Sequence, residues 1–162
     1  MSQYPVLYVE DNADDVLLLR HAFKRADILD PVQFAQDGQE AIDYLAGAEK
    51  FSDRQKYPMP RLVLLDLKLP KKTGIEVLQW IREQPALRKL PVIILSASAQ
   101  KSDVARCYEL GANAFLVKPS SIDTLGDMCR AIQHFWLSYN VFPPEGSGAA
   151  APIPKSEDSS SS

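Results

Sequence analysis

Leu62-Val63-Leu64-Leu65-Asp66 is four apolar residues running straight into one carboxylate. A short, unbroken apolar run reads as a strand buried on both faces of a sheet. A bare aspartate at the end of such a strand is costly to bury. Either a cation meets it or it stands at the mouth of a site. Three more runs share the form. Residues 5–9 lead into Glu10 and Asp11, residues 91–95 into Ser96, and residues 114–117 into Lys118 and Pro119. A shorter run, residues 32–35, follows a break at Pro31 and reads as an edge strand.

Helical patterns fill the intervals. Asn12 is a good N-cap, with Asp14 and Asp15 in a first turn where the helix dipole favours anions. That helix reaches about Ala26 and puts Val16, Leu19, Phe23 and Ala26 on one face. Asp37-Gly38-Gln39-Glu40 reads as a turn and capping box before a helix with Ala41, Ile42, Leu45 and Ala46 apolar. Ile75, Leu78 and Ile81 mark a helix that must stop before Pro85. Ser102 is the expected cap of a helix running to Leu110, with Gly111 as its stop. Ser120 or Ser121 caps the last helix. Its Leu125, Met128, Ile132, Phe135, Tyr139 and Phe142 form a narrow stripe at steps of three and four, and Trp136 falls off it. Residues 47–60 show no period. From Pro143 to Ser162 the composition is mostly Pro, Gly, Ala and Ser, which reads as a disordered tail after one domain spanning residues 1–142.

Five strands alternating with five helices imply an open parallel sheet with helices on both faces. Right-handed crossovers then put every strand's C-terminal end at one edge, where such sheets bind ligands. Glu10, Asp11, Asp66, Ser96 and Lys118 meet there. Three carboxylates sharing a pocket push at least one pKa up. One divalent cation together with Lys118 brings the formal charge of the cluster to zero. Oxygen-only ligands suit Mg²⁺, which keeps several waters and favours phosphate oxygens. A carboxylate neutralised in this way is a nucleophile for a phosphoryl group. Ser96 is placed to hydrogen-bond that group, and a cis Lys118–Pro119 bond would fix the lysine's aim.

Bulk properties narrow the class. A chain of 162 residues is one domain's worth, and a formal charge of −3 without a basic stripe argues against nucleic acid. No apolar run is long enough to span a bilayer, and a strand beginning at Tyr4 leaves no room for a signal peptide. Cys107 and Cys129 read as buried free thiols, so the expected compartment is the cytoplasm.

The motifs around Glu10-Asp11, Asp66-Leu67-Lys68-Leu69-Pro70, Ser96-Ala97 and Lys118-Pro119 resemble the receiver domain of two-component response regulators, over residues 4 to about 142. A narrower likeness is to the stand-alone receivers of bacterial phytochromes. It rests on the connection 50–60, Ser98, the stretch 107–113, and Phe135-Trp136-Leu137 leading to Phe142-Pro143. The resemblance implies a flavodoxin-like three-layer (βα)5 fold with strand order 2-1-3-4-5. It implies Asp66 as phosphoacceptor from a sensor histidine kinase, with a phytochrome as the expected one. It also implies Mg²⁺ held by Asp11, Asp66 and the Lys68 carbonyl, with Glu10 acting through water. Lys118 and Ser96 would contact the phosphoryl group, and Ser96 and Phe115 would form the switch. Output would run through protein contact or phosphorelay to a downstream protein, without direct DNA or membrane binding. Trp136, Phe135 and Tyr139 are the expected surface of a homodimer, since aromatics are enriched at interface cores.

Three other readings compete. A dehalogenase-type aspartyl-phosphate phosphatase wants a second Asp two residues after the first, where this chain has Lys68. A nucleotide-binding module wants a glycine-rich loop after the first strand, where this chain has four acidic residues within residues 10–15. A degenerate receiver acting only as a binding module would lack site residues that are all present here.

Overall fold

The computed structural model describes residues 5–26 and 32–144. The expected start at Tyr4, the break at Pro31 and the tail from residue 145 on lie outside the described residues.

Five parallel strands form the sheet, in the order β2-β1-β3-β4-β5. They are β1 Val6–Val9, β2 Val32–Ala35, β3 Leu62–Leu65, β4 Val92–Ser96 and β5 Ala114–Val117. The helices between and after them are α1 Ala13–Arg25, α2 Gly38–Ala46, α3 Gly74–Glu83, α4 Lys101–Glu109 and α5 Ile122–Ile132. Central β1, β3 and β4 are buried along their whole length, as continuous apolar runs require. Side chains alternate between two cores. Leu7, Val9, Val63, Leu65, Val92 and Ile94 face one way, with Ala41, Leu45, Leu78, Ile81 and Cys107 of α2, α3 and α4. Val6, Tyr8, Leu62, Leu64, Ile93 and Leu95 face the other, with Leu19, Phe23, Leu125 and Cys129 of α1 and α5. Both cysteines are buried free thiols.

The caps are partly as expected. Asn12 accepts from Asp14 and Asp15 N–H, and Ser121 from Thr124 N–H. Asp37 accepts from Glu40 N–H, one arm of the expected box; the full reciprocal box is at Thr73 and Glu76 of α3. Ser102 is not a cap. It lies inside α4, which starts from Gln100. The Lys118–Pro119 bond is trans, not cis.

The last helix departs most from its reading. After Ile132 the chain runs as a π-helix over Gln133–Tyr139. Its wider turn rotates the following side chains relative to a regular α-helix. Phe135 and Tyr139, two residues of the apolar stripe and of the expected dimer surface, are exposed at 57% and 78%. Trp136, expected outside, packs against the second core with Leu137 and Phe142.

The connection 47–60 is ordered by aromatics and one arginine. Phe51 is buried between Tyr44 and Tyr57, with ring centroids 5.1 and 5.0 Å away. The Arg54 guanidinium donates to the carbonyls of Tyr44 (2.7 Å), Leu45 (3.0 Å) and Tyr57 (3.3 Å), tying the loop to the end of α2.

Register delivers the site. Val9 pairs with Leu65, so the residues that follow, Glu10 and Asp66, leave the sheet side by side. The first residue of α3 then passes under the Asp66 carbonyl. A Cβ on Gly74 would lie 2.2 Å from that oxygen, whereas a Cβ on Gly126 of α5 would meet nothing nearer than 3.6 Å. The same substitution therefore has opposite signs at the two positions. In urea unfolding, Gly74→Ala should lose about 1–3 kcal/mol by overpacking. Gly126→Ala should gain about 0.5–1 kcal/mol from helix propensity.

Candidate functional site: an acidic cluster with one lysine

Glu10 follows β1 directly, Asp11 comes next, and Asp66 follows β3. One carboxylate oxygen from each lies within 4.8 Å of the other two. Glu10 and Asp66 are buried at 2% and 7% exposure, while Asp11 is exposed. Lys118 crosses from the end of β5. Its ammonium donates to Glu10 Oε2 and to Asp66 Oδ2, the latter at 3.2 Å. The Lys118 backbone N–H is held by the Ser96 carbonyl at 2.7 Å, a rung of the β4–β5 ladder that sets where the lysine departs. The expected residues 10, 11, 66 and 118 are thus gathered at one rim.

The remaining expected residues stand close by in the chain. Lys68 is exposed, and its N–H donates to Asp66 Oδ1 at 3.3 Å, so the loop turns back over the carboxylate. Ser96 is buried, and its hydroxyl accepts from Ser98 N–H at 3.3 Å. Phe115 is half-buried on β5 and leans on the first core.

Two site residues were not read from the sequence. Asp15 was assigned to the helix dipole. Helical side chains tilt toward the N-terminus, and this one reaches back to within 3.5 Å of Lys118. Tyr8 was counted as one apolar residue of a strand. Its hydroxyl donates to Glu10 Oε2 at 3.3 Å. The signal for Tyr8 was the strand period, which puts residues 8 and 10 on the same face.

The electrostatics follow from crowding. Burial, and then the neighbouring Asp66 carboxylate, push Glu10 up to about 7, although Lys118 pulls the other way. Burial pulls Lys118 down, but Glu10 and Asp66 outweigh it and hold the ammonium above its ordinary value. Burial, then the charge of Glu10, keeps the Tyr8 phenol far above its usual range, so it stays protonated and donates. Three carboxylates against one ammonium leave the cluster short of positive charge. Its donors are all hard oxygens, a set that fits a divalent cation of the Mg²⁺ or Mn²⁺ type.

The sign of the pH dependence is fixed by Glu10. An unfolded chain releases this proton near 4.5, and the folded chain holds it to about 7. The folded state therefore binds more protons in that interval, and its stability falls as pH rises through it. Melting in chelator should show the midpoint dropping from pH 5 to pH 7.5. Glu10→Gln should remove most of the drop. A midpoint that stays level or climbs in wild type contradicts the crowding.

Residues 6–130 match the family model described as the response regulator receiver domain. Response regulator Rcp1 of Synechocystis is 36% identical over 138 residues, covering 85% of this chain and 92% of Rcp1. Its Mn²⁺-bound structure superposes with a TM-score of 0.78 at 35% identity, covering 86% of this chain and 99% of that one. The phosphorylated cyanobacterial phytochrome response regulator RcpA gives 0.81 at 34% identity, covering 88% and 99%. The bacteriophytochrome response regulator AtBRR gives 0.70 at 38% identity, covering 88% and 99%. The Mn²⁺-bound relative and the acidic cluster together support a divalent metal site, and no helix among the described residues is long and apolar enough to cross a membrane. Neither a dehalogenase-type phosphatase nor a nucleotide-binding module is favoured by these matches. The chain belongs to the response regulator receiver family and is a receiver like Rcp1 and the bacteriophytochrome response regulators.

Proposed function

We propose that Asp66 accepts a phosphoryl group from the phosphohistidine of a sensor kinase. The observation that carries this is the convergence of Glu10, Asp11 and Asp66 oxygens within 4.8 Å, with Lys118 bonded to two of the three groups. An Asp66 carboxylate oxygen bonds to phosphorus, the phosphorus–nitrogen bond breaks, and its electron pair stays on the imidazole. Mg²⁺, when bound, supplies the positive charge that lets a carboxylate approach an anionic phosphoryl group. Asp11, Asp66 and the Lys68 carbonyl would hold it directly, with Glu10 acting through water. Lys118 then contacts the phosphoryl oxygens and Ser96 turns its hydroxyl toward them. Phe115 follows as the second switch residue and alters the face made by α4, β5 and α5.

The phytochrome descriptions of RcpA and AtBRR support a phytochrome as the kinase, and the cytoplasm is the compartment we assign. Output passes through contact with a downstream protein or a phosphotransfer partner, without direct nucleic-acid or membrane binding. Phe135 and Tyr139 are both exposed on the π-helical end and make the better surface for a second copy. Trp136 supports that surface from beneath rather than forming it.

Incubation with acetyl phosphate and Mg²⁺, followed by intact mass, tests the assignment. Wild type should gain about 80 Da, one phosphoryl group, and Asp66→Asn should gain nothing. A folded wild type that stays unmodified, or a variant modified to the same extent, overturns it.

A further inference from the structure

Tyr8 is a phenol on a central strand at 1% exposure, in a position otherwise surrounded by apolar side chains of the second core. Two residues of strand rise about 6.6 Å, so a tyrosine ring lying along the sheet brings its hydroxyl level with residue i+2. That residue is Glu10. Its Oε1 accepts from Asn12 N–H at 3.1 Å. Its Oε2 carries both other partners, the Tyr8 hydroxyl at 3.3 Å and the Lys118 ammonium. A small cavity of about 40 Å³, lined by Tyr8, Asp15, Lys118 and Pro119 among others, lies beside the lysine.

The sharing of one oxygen has a consequence once the lysine has a second task. A buried carboxylate that loses its ammonium is costly unless another donor remains. We propose that Tyr8 is a positioning residue that keeps the Glu10 carboxylate bonded and in place when Lys118 leaves it for the phosphoryl group. The role rests on the phosphoacceptor reading of Asp66. With the hydroxyl present, Glu10 releases the lysine and keeps two protein donors, Tyr8 and Asn12 N–H, besides any metal-bound water. With phenylalanine at position 8, it keeps only one protein donor and holds the lysine more tightly. Tyr8 thereby favours the phosphorylated state without touching the reacting atoms.

The test is the affinity for beryllofluoride, a phosphoryl mimic, in saturating Mg²⁺, followed by fluorine NMR. Tyr8→Phe leaves the ring in the core, and its melting curve in chelator establishes that it is folded. Tyr8→Phe should bind beryllofluoride at least about fivefold more weakly than wild type, part of the worth of a hydrogen bond to a charged group, because the bond exists in both states and strengthens when the lysine leaves. In a Glu10→Gln background, the same substitution should change affinity less than twofold. Equal affinity of wild type and Tyr8→Phe overturns the role. So does a loss of the same size in the Glu10→Gln background, since Tyr8 would then act through packing. Wild type that takes up no beryllofluoride overturns the phosphoacceptor reading and this role with it.

Discussion

Lys118 reaches Glu10 and Asp66 with one ammonium group, and the architecture around the site can be traced from that pair of contacts. Two buried carboxylates side by side would repel each other strongly enough to pull the strand ends apart or to force a proton onto one of them. The lysine offsets part of that repulsion, and Asp11 on the rim restores it. What is left is a cluster that folds under electrostatic tension and gains most from a small, hard, doubly charged ion. The same tension gives Asp66 its proposed chemistry: an aspartate flanked by carboxylates becomes nucleophilic toward an anion only when positive charge is brought in beside it.

The sheet exists, in this respect, to hold that tension. β1 and β3 are adjacent and in register, so Glu10 and Asp66 cannot separate without breaking the central ladder. The Asp66 N–H is itself bonded to the Val9 carbonyl at 3.1 Å. The β4–β5 ladder continues to Lys118 through the Ser96 carbonyl, so the lysine's origin is as fixed as the carboxylates are. Gly74 lets the start of α3 tuck under Asp66, and the Thr73–Glu76 box holds that start in place. The ladder bonds among these features are backbone bonds of the sheet, so the site is rigid where the charges sit.

The parts of the molecule that were legible in advance are those governed by one strong rule. β1, β3 and β4 are buried on both faces, so apolar continuity alone located them, and the residues closing each run became the site. Strand order followed from the family likeness. The failures have identifiable physics. Ser102 looked like a cap because its side chain suits one, but capping depends on where the chain first turns helical, and α4 turns at Lys101. Periodicity assumed a uniform helix through residue 142. A π-helical stretch broke the period, turned Trp136 inward and left Phe135 and Tyr139, the other two residues of the expected dimer surface, exposed. The connection 47–60 has no period to read because Arg54 orders it through backbone carbonyls. Tyr8 and Asp15 were missed because each also satisfies a local rule, strand apolarity or the helix dipole, and only the packed chain shows the second contact.

The central claim is that the three carboxylates share one electrostatic site that a divalent cation completes. The most direct measurement is the melting temperature of wild type and Asp66→Asn, each in chelator and in Mg²⁺. Removing one of the repelling charges should stabilise the metal-free protein by on the order of 1–3 kcal/mol. Mg²⁺ should then raise the wild-type midpoint by more than it raises that of the variant. A variant that melts below wild type in chelator, or that gains as much from Mg²⁺, would contradict a shared site.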